Sequence, residues 1–71
     1  MKKYVVQNNV RELRFFHEEM SQKTLAELVG VSRQTIVAIE KGKYSPTLEL
    51  AFRIAMAFDK TVDEVFYMEE A

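Results

Sequence analysis

The chain has 71 residues, which is room for one domain over residues 1–71, and a domain of that size buries only about 60% of its unfolded surface. It contains no cysteine and a single histidine, His17, so disulfides, thiol catalysis and a Cys/His metal site are excluded. No apolar run reaches the roughly 20 residues that cross a bilayer, and residues 1–6 are not a signal peptide. We therefore expect a cytoplasmic protein with no cofactor, no small-molecule ligand and no membrane contact.

The net charge of −1 conceals an uneven distribution of charged residues. Residues 1–48 carry eight basic and five acidic side chains, whereas residues 49–71 carry two basic and six acidic ones. A basic half of this kind can bind phosphate while an acidic half keeps the chain near neutrality. Ordinary scatter of surface charge would give the same counts, and charge alone favours that second interpretation.

Helices dominate the predicted secondary structure. Tyr4-Val5-Val6-Gln7 is β-branched and predicts a strand over residues 4–7, after which Asn8 or Asn9 can cap the first helix. The later helices are separated by N-cap residues and stop signals, namely Ser21, Ser32, Thr47 and Thr61 as caps and Gly30 and Gly42 as stops. The predicted helices span residues 10–19, 22–29, 33–41, 48–58 and 62–66, and a second strand is expected over 66–69. The predicted fold is therefore all-α, with two short terminal strands.

The charged residues do not predict an enzyme. The three carboxylate pairs are adjacent in sequence (18–19, 63–64 and 69–70), and neighbours on a helix do not converge on one substrate. His17 lies beside Glu18, but no nucleophile is arranged near it, and the sequence contains no Gly-rich phosphate loop. We interpret these residues as solvated helix ends and expect no catalytic activity.

Two short helices meet at the turn Gly30-Val31-Ser32, and such a unit can place its second helix in the major groove of DNA. At about 100° per residue, Ile36 and Ile39 face inward, and the outward face carries Gln34, Val37, Ala38 and Lys41. Gln and Arg side chains can bond adenine and guanine edges, and aliphatic methyl groups can contact the thymine methyl. A surface helix with small residues at a protein contact is the alternative interpretation.

Residues 21–47, SQKTLAELVGVSRQTIVAIEKGKYSPT, resemble the helix–turn–helix (HTH) of Cro/CI-type regulators, also called the xenobiotic-response-element (XRE) family. The resemblance covers about residues 8–66 and depends on the spacing of SQ, LA, GVSRQTI, IE, GK and P. It implies a five-helix, λ-repressor-like domain, with its HTH over about residues 21–41, that binds double-stranded operator DNA as a symmetric homodimer. Two departures are a link between the first two helices that is one residue longer than in the shortest members, and Thr24 in place of the frequent Glu.

Carried over position by position, the resemblance implies a set of site residues. Those that would touch DNA are Gln22 on a phosphate, Ser32, Arg33, Gln34, Thr35 and Ala38 at or beside the bases, and Lys41, Lys43 and Tyr44 on the backbone. An Arg of the first helix, Arg14 here, would form a structural ion pair with Glu40. The helical angles place Glu40 at the edge of the buried face, where an unpaired charge would be costly.

The C-terminal segment predicts a dimer contact. Val65, Phe66, Tyr67 and Met68 are too apolar for a free tail on a chain of this size. Residues 4–6 and 66–68 could also pair into a two-stranded ribbon, as the resemblance implies for some compact members. Burial of the segment within one chain is the alternative.

We expect from these features a DNA-binding transcriptional regulator, associated with the nucleoid, that represses transcription from a palindromic operator. Repression by occlusion is the simplest mechanism for a chain of this size. Two rivals are an antitoxin-type protein, whose HTH is secondary to binding a toxin, and a protein-interaction module. The second rival would bind DNA weakly and with little salt dependence, whereas phosphate contacts make affinity fall steeply with salt.

Overall fold

The computed structural model describes residues 2–71, which form five helices and a two-stranded antiparallel ribbon. The helices are α1 (Val10–Phe16), α2 (Gln22–Val29), α3 (Arg33–Glu40), α4 (Leu48–Ala57) and α5 (Val62–Val65), and the strands are β1 (Tyr4–Asn8) and β2 (Phe66–Glu70). The predicted all-α fold with a terminal ribbon is confirmed. Within residues 2–71, none of the helices has both the length and the apolar character that crossing a bilayer requires.

Each helix contributes an aliphatic side chain to one core. Val10, Leu25, Ile36, Ile54 and Val65, one from each helix in chain order, are completely buried. Burying a side chain of this size stabilises the fold by about 1.5–3 kcal/mol before entropy is subtracted. The inward position of the α3 isoleucine therefore fixes which face of α3 points to solvent.

Side-chain caps start α2 to α5 as the sequence predicts, whereas the N-cap residue of α1, Asn9, makes no side-chain capping bond. The hydroxyl oxygen of the N-cap residue accepts from a backbone N–H of the first turn at 2.9 Å for Ser21 and at 3.2 Å for Ser32 and Thr47. At α5, the Thr61 N–H donates to the Glu64 carboxylate at 2.9 Å, which completes a capping box. These bonds satisfy N–H groups that have no partner inside a helix.

The predicted end of α1 at residue 19 is wrong, because the helix ends at Phe16. Glu18 and Glu19 have φ angles of 56° and 52°, in the left-handed region, where a right-handed helix cannot continue. The early exit turns the chain so that Met20 packs against the core, and the Met20 N–H donates to the Arg14 carbonyl at 2.9 Å. The non-helical backbone of Glu18 and Glu19 is therefore the physical reason for the shorter helix.

The other helices end one residue earlier than predicted, except α2, which has the predicted bounds. Phe66 pairs with Asn8 in the ribbon, so α5 stops at Val65 and the extended chain begins. Each strand is one residue longer than predicted and includes Asn8 or Glu70. The Asn8 side chain accepts from the Val10 N–H at 3.1 Å and donates to the Ile39 carbonyl at 3.0 Å, which fixes the base of the ribbon beside α3.

Candidate nucleic-acid interface

The turn between α2 and α3 presents the outer face of α3 to solvent. Gly30 has a φ angle of 78°, and the N–H groups of Gly30 and Val31 both donate to the Ala26 carbonyl, at 2.9 and 3.0 Å. The left-handed glycine ends α2, and Ser32 starts α3 two residues later. Arg33 and Gln34 then lie exposed on the first turn of α3.

An ion pair connects α3 to α1. The Arg14 Nε donates to Glu40 Oε2 at 2.7 Å and its Nη2 donates to Glu40 Oε1 at 2.9 Å, which is a two-point contact. Arg14 Nη1 donates to the Met20 carbonyl at 2.8 Å, so all three guanidinium nitrogens bond to protein oxygens. The two side chains are only 15% and 7% exposed, which shields the pair from solvent. This pair fixes the last turn of α3 against α1.

Gln22, at the start of α2, joins the same network. Its Nε2 donates to Glu40 Oε1 at 3.3 Å, and the side chain is half-buried. The Glu40 carboxylate therefore receives bonds from two helices other than its own. The amide of Gln22 is oriented by the protein before any ligand binds.

A groove with a volume of about 500 Å³ runs between α1, the start of α2 and α3, and we call it the trench. Its lining residues are Arg11, Arg14, Ser21, Gln22, Lys23, Arg33, Val37, Glu40 and Lys41. Five of these nine are cationic, and Glu40 is the one carboxylate among them. Arg11 and Lys23 could not be assigned to this groove from the sequence, because the groove forms only where α1 packs beside α2 and α3.

The expected base-reading residues divide between two flanks of α3. Arg33 lines the trench, whereas Thr35 lines a hollow on the opposite flank together with Tyr44. The hydroxyl oxygens of Thr35 and Ser32 lie 3.1 Å apart, which restrains Thr35 at the start of the helix. Gln34 is exposed between the flanks, and Ala38 follows one turn later, half-buried.

The basic loop after α3 lies at the C-terminal end of the same helix. The Lys43 N–H donates to the Ala38 carbonyl at 2.9 Å, which folds the loop back onto α3. The side chains of Lys41, Lys43 and Tyr44 are exposed. Cationic and aromatic groups therefore follow the outer face of α3. Within residues 2–71, no group of three or more His, Cys, Asp or Glu could hold a metal ion.

The C-terminal segment contains both buried and exposed residues. Val65 is fully buried and belongs to the core of one chain, and Phe66 is half-buried against that core. Tyr67 and Met68 on β2 are 44% and 62% exposed. Among residues 65–68, Tyr67 and Met68 therefore offer the larger exposed apolar surface for contact with another molecule.

The family model described as Helix-turn-helix matches residues 10–65, from the start of α1 to the end of α5. The chain belongs to the helix-turn-helix family. An uncharacterised HTH-type transcriptional regulator of Methanocaldococcus jannaschii is 46% identical over 65 residues, covering 92% of this chain and 97% of the relative. One of Bacillus subtilis is 49% identical over the same shares of each chain, and one of Methanothermobacter thermautotrophicus is 52% identical over 72% of this chain and 75% of its own length. The helix-turn-helix family is a non-enzyme class, in agreement with the expectation that the chain is not an enzyme.

Proposed function

We propose that this helix-turn-helix protein is a sequence-specific DNA-binding transcriptional regulator that represses from a palindromic operator as a homodimer. The observation that carries the proposal is the outer face of α3, where Arg33 and Gln34 are exposed on a helix whose other end is fixed by the Arg14–Glu40 pair. The relatives described above, all HTH-type transcriptional regulators, support the same function.

In this proposal α3 enters the major groove with its first turn leading. The Gln34 side-chain amide accepts a hydrogen bond from N6 of an adenine and donates one to its N7. The Arg33 guanidinium donates two hydrogen bonds, to O6 and N7 of a guanine. The helix has to arrive in one orientation for these short contacts to form, and the Arg14–Glu40–Gln22 network supplies that orientation. Lys43, in the loop after α3, contacts a phosphate and adds affinity without sequence preference.

Titration of two variants against two duplexes tests this division of roles. Gln34→Ala should lose about 1–3 kcal/mol of binding free energy on the preferred duplex and lose little on a scrambled one. Lys43→Ala should weaken both duplexes about equally and reduce the slope of log affinity against log salt by roughly one for each half-site that is bound. If Gln34→Ala weakens both duplexes equally, α3 does not read the sequence.

The homodimer follows from the symmetry of a palindromic site, since two half-sites need two copies of α3 related by a two-fold axis. The exposed part of β2, Tyr67 and Met68, is the apolar contact in this proposal. Val65 and Phe66 support the strand from the core side instead of contacting the partner directly. A lone two-stranded ribbon is marginal in water, so a second copy packed against it would also stabilise it.

Sedimentation at micromolar concentration tests this dimer. A Tyr67→Asp plus Met68→Asp variant should be a monomer and should still fold, because neither side chain belongs to the core. The matched control is Phe52→Asp plus Met56→Asp on α4, where the two side chains are 53% and 75% exposed. If the β2 variant stays dimeric and the α4 variant becomes monomeric, the contact lies on α4.

Repression in this proposal is occlusion, because a bound dimer and RNA polymerase cannot occupy the same DNA. Transcription in vitro from a promoter that contains the selected operator should fall as the protein is added. A promoter with a scrambled operator is the control, and its transcription should not change. Transcription that rises with added protein would contradict the repressor role.

A second candidate function is supported by the apolar outer surface of α2 and α4. Leu28 and Met56 line one groove between α2 and α4 and are 61% and 75% exposed, so they share one apolar surface. Such a surface fits a protein-interaction module or an antitoxin-type protein that binds a toxin. The salt titration separates the protein-interaction module from the regulator, because such a module predicts weak DNA binding with little dependence on salt.

A further inference from the structure

We propose that Arg11, on α1, and Lys23, on α2, bind phosphates of one DNA strand that lies in the trench, so that α1 is part of the DNA interface. The inference rests on the proposed function and adds residues to the same site. Sequence analysis gave α1 only a structural role, through Arg14. The positions of the charges around the trench carry the argument.

The trench is positively charged because its single carboxylate is neutralised. Glu40 lines the trench but receives two bonds from Arg14, at 2.7 and 2.9 Å. The four remaining cations, Arg11, Lys23, Arg33 and Lys41, are all exposed. Four cations around a groove of about 500 Å³ repel one another, and an anionic strand between them relieves that repulsion.

Arg11, and not Arg14, is the phosphate ligand that α1 supplies. Each of the three guanidinium nitrogens of Arg14 already donates to Glu40 or to Met20, and the side chain is 15% exposed. The ion pairs among residues 2–71 join Lys2 to Glu70, Arg14 to Glu40 and Arg53 to Glu49, so neither Arg11 nor Lys23 is neutralised by a carboxylate. Both cations are free to pair with phosphate.

The trench also lies in the correct place for a DNA backbone. Arg33, Val37 and Lys41 are spaced by four residues, so they form one row along the flank of α3 that borders the trench. The opposite wall comes from α1 and from the first turn of α2. In a helix-turn-helix complex the helix before the reading helix crosses the DNA backbone, so a strand beside α3 passes between these walls.

Salt titrations of charge-removing variants test the inference. Arg11→Gln and Lys23→Gln should each reduce the slope of log affinity against log salt by about one per protomer, which is about two for the proposed dimer, and the double variant should reduce it by about four for the dimer. Arg11→Lys should keep the wild-type slope because it keeps the charge. The matched control is Lys60→Gln, an exposed lysine between α4 and α5 outside the trench, which changes the net charge equally and should leave the slope unchanged.

The ratio of affinities for preferred and scrambled duplexes supplies a second readout. It should be the same for wild type and for the Arg11 and Lys23 variants, because phosphate contacts carry no sequence information. Slopes equal to that of Lys60→Gln would overturn the inference, and so would a changed sequence preference in Arg11→Gln. Either result leaves the proposed function intact as long as wild type prefers its duplex, whereas wild-type binding with no sequence preference would refute the function itself.

Discussion

The two links that flank α2 reverse the chain with different residues. The α2–α3 turn places Gly30 at a φ angle of 78°, where glycine meets no steric penalty. The α1–α2 link places Glu18 and Glu19 at 56° and 52°, where each residue with a Cβ costs about 1–2 kcal/mol. The α1–α2 link therefore stores backbone strain, and the α2–α3 turn does not.

The strained link is also the one that long-range polar contacts hold. Arg14 Nη1 donates to the Met20 carbonyl at 2.8 Å, and the same guanidinium binds Glu40 on α3. The α2–α3 turn is held mainly by local bonds to the Ala26 carbonyl, and its one distant polar contact within residues 2–71 is a long bond of 3.5 Å from Arg53 Nη1 to the Val29 carbonyl. The chain reversal between α2 and α3 thus depends mainly on local backbone bonds, to which the Gln22–Glu40 bond adds one contact between the two helices. The position of α1 depends on distant side chains.

The largest expected effect comes from removing Glu40, whose ion pair with Arg14 supports the α1–α2 link. Glu40→Ala leaves the Arg14 charge buried without its partner and should lower the free energy of unfolding by about 3 kcal/mol. Urea denaturation measures the loss. Glu27→Ala, an exposed carboxylate on α2, is the control and should change stability by less than about 0.5 kcal/mol. A Glu40→Ala variant as stable as this control would mean that the pair does not hold the link.

The next largest effect should come from replacing Gly30 in the α2–α3 turn. Gly30→Ala should lower stability by about 1–2 kcal/mol, because alanine is strained at this φ angle. Gly42→Ala is the matched control, since Gly42 has a φ of 74° and its added Cβ would meet nothing within 4 Å. The two losses should be similar, because the added Cβ at Gly30 meets only Arg53 Nη1 at 3.5 Å, an ordinary contact. A loss at Gly42 alone would mean that the α2–α3 turn tolerates the change.

A smaller effect of opposite sign should come from relieving the strained link. Glu18→Gly and Glu19→Gly should each raise the free energy of unfolding by about 0.5–1 kcal/mol. Glycine removes the steric clash of Cβ at a positive φ angle but adds conformational freedom to the unfolded chain. Glu12→Gly, inside α1, should lower it by about 1 kcal/mol. Thermal melting compares all three. If the link variants lose stability like Glu12→Gly, their left-handed backbone is not a source of strain.

The smallest effect concerns the capping box of Thr61 and Glu64 at the start of α5. The α4–α5 link before it contains a left-handed residue, Asp59 at a φ of 55°, as the α1–α2 link does. The backbone N–H of Thr61 and then its hydroxyl hold the pKa of the Glu64 carboxyl below its ordinary value. A lowered pKa in the folded state adds stability above the unfolded pKa, and that contribution is lost as the pH falls through the folded pKa. Titration by NMR should give a Glu64 pKa below that of an unfolded peptide. An equal pKa would mean that the capping bond does not form in solution.

The same comparison explains how much the sequence could predict. Gly30 and the N-cap serines are local signals, so the α2–α3 turn and the outward face of α3 could be read from the residues. Glu18 and Glu19 carry no turn signal, yet their left-handed backbone ends α1 early and Met20 then packs against the core. The trench depends on the same placement of α1. Arg11 and Lys23 could therefore not be assigned to a site before the packing of the helices was known.

Selection of bound sequences from a pool of random duplex DNA tests the central claim, that the outer face of α3 reads DNA, most directly. Wild type should enrich a two-fold symmetric site. Gln34→Ala should enrich a site in which one base pair in each half is relaxed and the others are kept. Lys43→Ala should enrich the wild-type site, because it removes only a phosphate contact. No enrichment by wild type, or an unchanged site from Gln34→Ala, would contradict the claim.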